Sequence, residues 1–203
     1  MKIIGISGSP SASSRSNVLL QLAQAQLQPV AARLHTVSLR DLPAEPLLHA
    51  KVDHPAIQQA LQEVHDAQVV LVATPIYKAA YSGLLKAFLD LLPQDGLRGK
   101  TVLPMATGGS IAHLLALDYA LKPVLSALGA RDILDPVFAT DAQIPRHEQQ
   151  GYLPLPEVHA RVRHSLNTLI ERNALRPHAH GGESFLKPWP ASLHSSLTQG
   201  GLS

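Results

Sequence analysis

Residues 2–17 read KIIGISGSPSASSRSN: an apolar run that stops at Gly8-Ser9-Pro10, a serine-rich loop, and the start of a new pattern. A continuous apolar run this short, ended by turn residues, marks a strand buried on both faces, as in a parallel sheet covered by helices. Beyond the loop, Val18, Leu19, Leu22 and Ala23 recur at helical spacing until Pro29, with Ser16 or Asn17 available as N-cap. The opening therefore predicts strand, polar loop and helix in direct succession.

The same unit recurs. Residues 33–39 (RLHTVSL) alternate polar and apolar, which suits an edge strand, and Pro55 opens a helix carrying Ile57, Ala60, Leu61 and Val64. Residues 68–74 (QVVLVAT) form the most strand-like segment and are expected at the centre, followed by a helix over 83–92 capped by Ser82. Residues 100–107 (KTVLPMAT) read as a fourth strand despite Pro104, which removes a ladder donor. A helical region spans 111–128 but carries Pro123, so it is expected to be irregular near Tyr119–Pro123. A fifth strand over 131–139, bent by Asp135-Pro136, and a helix over 155–174 complete the pattern. Five β-α units predict an α/β fold, a doubly wound five-stranded parallel sheet of strand order 2-1-3-4-5. Ligands of such sheets bind beyond the carboxyl ends of the strands, at the switch between strands 1 and 3.

Composition narrows the chemistry. The 203 residues are 45% apolar and 16% charged, enough for one ordinary core, placed over residues 1–175. With no cysteine, the chain has no disulfide, thiolate metal site or cysteine nucleophile, so redox chemistry requires a borrowed cofactor. The formal charge is only +2, with basic residues dispersed and aromatics few, which argues against nucleic acid. No stretch reaches the length of a signal-peptide core or membrane span, so a cytoplasmic protein without membrane association is expected.

Three loops are candidates for chemistry, one after each of strands 1, 3 and 4. In the first, Ser9, Ser14, Arg15, Ser16 and Asn17 stand at a helix start, where free amides, hydroxyls and a guanidinium suit a phosphate. Neither a Walker loop nor a dinucleotide fingerprint is present, which leaves a monophosphate such as that of FMN; a serine-rich turn that only caps a helix is the alternative. In the second, Pro75, Ile76, Tyr77 and Lys78 offer a flat wall for a flavin ring. In the third, Thr107, Gly108, Gly109 and Ser110 let backbone amides approach a ligand, or merely turn the chain. Hydride transfer between two bound rings needs no dedicated acid or base.

In their order, Gly8-Ser9-Pro10 with Ser14-Arg15-Ser16, residues 74–83 (TPIYKAAYSG) and Ala106-Thr107-Gly108-Gly109 resemble the three flavin loops of the flavodoxin-like NAD(P)H-dependent FMN reductase family. Residues 77–92 and 112–125 (AHLLALDYALKPVL) are similar to the FMN reductases of two-component alkanesulfonate monooxygenase systems. The resemblance covers residues 1 to about 174 and implies reduction of FMN by NADPH. It further implies delivery of FMNH2 to an alkanesulfonate monooxygenase and a homo-oligomer, commonly a tetramer. It implies as well that Tyr119 stands in an inserted π-helical turn at the oligomer interface, with a part in flavin release. Where relatives often carry Arg after Gly-Ser-Pro, this chain has Ser11, leaving Arg15 as the guanidinium of that loop.

Two rival readings share the loops: an FMN-retaining quinone or azo reductase, and a non-enzymatic flavodoxin-like electron carrier, the latter usually strongly acidic. His113 follows the third loop and is a candidate to approach a ring, the favoured alternative being a helix-start residue that faces solvent or an interface. His178 and His180 are scattered, and no metal is expected. Residues 176–203, rich in Gly, Pro, Ser and His, are expected to form a flexible extension.

Overall fold

The computed structural model of the chain describes residues 1–174; the expected extension over 176–203 lies outside them. The sheet is built from β1 (Lys2–Ser7), β2 (Arg33–Ser38), β3 (Val69–Tyr77), β5 (Thr101–Gly108) and a fifth position shared by β6 (Asp132–Ile133) and β7 (Val137–Thr140). Its order is β2-β1-β3-β5-β6, with β7 also on β5 and all these pairings parallel. This is the expected doubly wound sheet, with its last strand in two pieces.

Two prolines explain the break. Val102 accepts from the amide of Leu134 at 2.9 Å, so Val102, and by the two-residue period Pro104, face the fifth position. Pro104 has no amide to offer, and β6 and β7 are interrupted opposite it, at Leu134–Pro136. The missing donor thus falls where no ladder partner waits, and Pro104 is tolerated inside a central strand.

The strands are apolar throughout because both faces are covered. On one side Ile4, Ile6, Val70 and Val72 meet α3 (Pro55–Asp66), α4 (Gly83–Leu89) and α5 (Lys122–Ala127) through Ile57, Val64, Leu85, Phe88 and Leu125. On the other, Ile3, Val69, Leu71, Leu103 and Met105 meet α1 (Arg15–Leu27) and α6 (Pro156–Ala174) through Leu19, Leu20, Val158 and Val162. Truncating one of these fully buried leucines to Ala costs about 2–5 kcal/mol.

Several boundaries differ from expectation. The N-cap of α1 is Ser14, not Ser16 or Asn17: its hydroxyl accepts from the Asn17 amide at 3.2 Å. The central strand continues through Pro75 to Tyr77 and folds back as β4 (Ala80–Tyr81), a hairpin not anticipated. α4 stops at Leu89, after which Leu91 and Leu92 close tighter three-residue turns. Two pieces are added: a short α2 (Ala44–Leu48), and a second hairpin, β8 (Arg146–His147) with β9 (Gly151–Tyr152), between β7 and α6.

The irregularity expected near Pro123 is a π-helical segment, Leu117–Leu121, preceded by a 3-10 turn at Ile111–Leu114. The Lys122 amide bonds the Leu117 carbonyl five residues back, and the widened turn sets Pro123 in the first turn of α5, where no donor is required. Among the described residues, no helix is long and apolar enough to cross a membrane.

Candidate flavin site at the carboxyl edge of the sheet

The parallel register delivers the three loops to adjacent positions. Ser7 stands beside Ala73, Pro75 beside Thr107 and Gly108 beside Thr140, so all three chains leave the sheet along one edge. The first two loops are also bonded to each other. Thr74 Oγ1 accepts from the Ser82 amide at 3.0 Å, and Ser82 Oγ donates to the Gly8 carbonyl at 2.5 Å while accepting from the Leu85 amide at 3.1 Å. Gly8 in turn donates its amide to the Ala73 carbonyl at 2.8 Å. A Cβ on Gly8 would lie 2.9 Å from Leu85 Cβ and 3.2 Å from the Ala73 carbonyl oxygen, so the glycine permits this approach.

Within the first loop the serines divide their work. Ser9 is buried and accepts from the Ser11 amide at 3.2 Å, which shapes the turn; Ser16 is buried 3.0 Å from Ser14 Oγ. Ser7 Oγ donates to Asn17 Oδ1, and Asn17 Nδ2 donates to the Ala12 carbonyl at 3.4 Å. Ser11 and Ser13 remain exposed in front of a thirteen-residue helix with no acid in its first turn. That combination fits a phosphate monoester: exposed hydroxyls, a positive helix end and no acid in the helix's own first turn. Arg15 is held by the segment that follows β7: its Nε donates to the Ile144 carbonyl at 2.9 Å and Nη1 lies 3.6 Å from Asp141 Oδ2. The Tyr152 ring packs against its guanidinium, 4.6 Å from the ring centre.

In the second loop Ile76 is buried whereas Tyr77 and Lys78 are exposed at the hairpin. Lys78 and Ala79 form its two-residue turn with φ of +48° and +64°, the left-handed region that L side chains avoid. Burial raises the Tyr81 phenol above its ordinary 10.0, Lys86 opposing and Asp90 adding to the shift; those two form an ion pair at 2.6 Å.

In the third loop Thr107 and Gly108 are buried, and Gly109 and Ser110 exposed. A Cβ on Gly108 would come within 2.9 Å of His113 Nδ1, whereas one on Gly109 would meet nothing within 4 Å. Gly108 thus accommodates the imidazole, and Gly109 presents bare backbone to open space, as a ring contact requires. His113 Nδ1 is buried without a hydrogen-bond partner among the described residues. Tyr119 stands in the π-helical segment, 80% exposed.

Sequence reading placed the loops but not the groups that join them. Thr74 and Ser82 are buried polar residues in apolar surroundings, and that contrast was the available signal. Asp141, Ile144 and Tyr152 reach Arg15 from a segment with no motif of its own.

Comparison with known proteins gives the same picture. The NADPH-dependent FMN reductase family matches residues 1–144. The chain is 49% identical to an FMN reductase (NADPH) of Pseudomonas putida over 87% of its own length and 90% of the relative's. It is also 49% identical to an FMN reductase (NADPH) of Escherichia coli, over 76% of this chain and 81% of that one. A solved NADH:FMN oxidoreductase in its apo form superposes with a TM-score of 0.76 at 36% identity, covering 86% of this chain and 91% of that one.

Proposed function

The chain belongs to the NADPH-dependent FMN reductase family and is an NAD(P)H:FMN oxidoreductase, and on that premise we propose that it hands its reduced flavin to an alkanesulfonate monooxygenase in the cytoplasm. The observation that carries the proposal is the kind of site the three loops make. It is an open edge of exposed hydroxyls and bare backbone, suited to a flavin that arrives and leaves. Bound flavin supplies the redox chemistry by accepting hydride from NADPH.

The protein's part in this reading is to hold and to release. The helix start of α1 and the hydroxyls of Ser11, Ser13 and Ser14 receive the phosphate, with Arg15 as the charged partner. Pro75 to Lys78 form the wall beside the ring, and the backbone of Gly109 and Ser110 faces its polar edge, where amides stabilise charge that grows on reduction. Ile111, Leu115 and Tyr119, in the segment after the third loop, are large apolar side chains 64%, 55% and 80% exposed. Exposed apolar side chains this close in sequence support a homo-oligomer, a tetramer in this reading, with Tyr119 at the interface regulating flavin release.

Steady-state oxidation of NADPH with FMN varied, followed by coupling to an alkanesulfonate monooxygenase, tests the proposal. Saturable dependence on added FMN, and sulfite release only when both proteins are present, are the expected results. FMN retained through dialysis, with turnover independent of added flavin, would overturn it. Light scattering of the wild type and Tyr119→Ala tests the assembly, and an unchanged mass and flavin affinity would remove Tyr119 from the account.

A further inference from the structure

Arg15 is the guanidinium closest in sequence to the phosphate loop, yet its surroundings are not those of an arginine reserved for an anion. The Ile144 carbonyl takes Nε at 2.9 Å and the Tyr152 ring covers one face at 4.6 Å, which fixes the plane of the group. Nη1 faces Asp141 at 3.6 Å, beyond hydrogen-bond length, with the two side chains 28% and 49% exposed. The location of that carboxylate is specific. Asp141 follows Thr140, the residue paired with Gly108, so it stands at the sheet edge beside the third loop. The first turn of α1 contains no acid, and Asp141 brings one to it from β7.

We infer that Asp141 sets the affinity for flavin phosphate by competing with it for Arg15. The inference rests on the reading that Arg15 is the phosphate's charged partner. A loose, half-exposed pair yields to a dianion that offers shorter, charge-assisted bonds. The carboxylate, 3.6 Å from the same guanidinium, also repels a phosphate that Arg15 holds. Both effects weaken binding without altering the ring site. Such an arrangement suits a reductase that must release its product, and it makes Asp141 a positioning residue with no part in hydride transfer.

Flavin affinities from fluorescence quenching, measured with FMN and with riboflavin, which has no phosphate, test the inference in four proteins: wild type, Asp141→Asn, Arg15→Met and the double variant. Asp141→Asn is expected to tighten FMN by roughly threefold to tenfold, less so as salt is raised, with riboflavin unchanged. The KM for FMN should fall accordingly, and Asp141→Glu should restore wild-type affinity. In the Arg15→Met background the effect should shrink to the part that direct repulsion contributes. Asp141→Ser provides a second charge-removing variant should the amide disturb the fold. If Asp141→Asn and Asp141→Ser leave FMN unchanged, or shift riboflavin equally, the inference fails. If Arg15→Met keeps the wild-type preference for FMN over riboflavin, the phosphate role of Arg15 fails and the inference with it. If that preference collapses while the Asp141 variants have no effect, only the role of Asp141 is lost.

Discussion

Ser82 Oγ donates to the Gly8 carbonyl at 2.5 Å across 74 residues, and the same oxygen accepts from the Leu85 amide, so one hydroxyl caps α4 and joins the loop after β1 to the loop after β3. Ser82→Ala removes the cap and strands a buried carbonyl, which is expected to cost about 2 kcal/mol. Urea denaturation measures the loss, and the KM for FMN should rise because the loops are no longer held to each other. An unchanged unfolding midpoint would deny the hydroxyl this role.

The two glycines of the third loop separate packing from ligand approach. Gly108→Ala forces a methyl to 2.9 Å from His113 Nδ1 and 3.1 Å from His113 Cβ, so it should lower stability by about 1–3 kcal/mol. Adding His113→Ala should recover the part of that loss due to the imidazole ring, the Cβ contact being kept. Gly109→Ala meets nothing within 4 Å, so its melting temperature should match the wild type while the KM for FMN rises. A Gly109→Ala protein with wild-type KM would place the ring elsewhere.

Lys78 and Ala79 occupy a two-residue hairpin turn with both φ positive, where Asn-Gly is the favoured pair. Lys78→Asn with Ala79→Gly is expected to add about 1 kcal/mol of stability, raising the melting temperature by about 2–4 °C for a domain of this size. A fall in melting temperature on calorimetry would mean that contacts of the Lys78 stem or the Ala79 methyl outweigh the backbone strain.

The sheet was legible in the sequence because its signals are local. Residues 3–6 and 69–73 are apolar without interruption, as a strand covered on both faces requires. Pro123 likewise announced an irregular helix through its own missing amide, although the π form rather than a simple kink came from family resemblance. The cap of α1 was misplaced because Ser13, Ser14, Ser16 and Asn17 are chemically equivalent candidates, and only folding selects Ser14. What holds the site together left no local trace. Ser82 reaches Gly8 and Arg15 reaches Ile144 over 74 and 129 residues, and no spacing rule connects such positions. The break opposite Pro104 needed Pro136 and the facing register together, which neither segment discloses alone.

Tyr81 makes the β3–β4 hairpin sensitive to alkali. Burial raises its phenol above the ordinary 10.0, so the folded protein keeps a proton that the unfolded chain gives up. The folded state therefore binds more protons at pH values between 10.0 and the raised folded value, and stability must fall as pH climbs through that interval. Below the interval the contribution is fully present and the slope from this group is zero. Lys86 and Lys100 also titrate in alkali, the first raised chiefly by its bond to Asp90 and the second lowered by burial, so the wild-type curve sums several groups. Tyr81→Phe isolates one of them: it keeps the ring and removes the proton. Urea unfolding of both proteins from pH 8 to 11 should show a shallower alkaline decline for Tyr81→Phe and parallel curves below pH 9. Identical alkaline slopes would mean that the phenol ionises alike in the folded and unfolded chain, and that the hairpin does not shelter it.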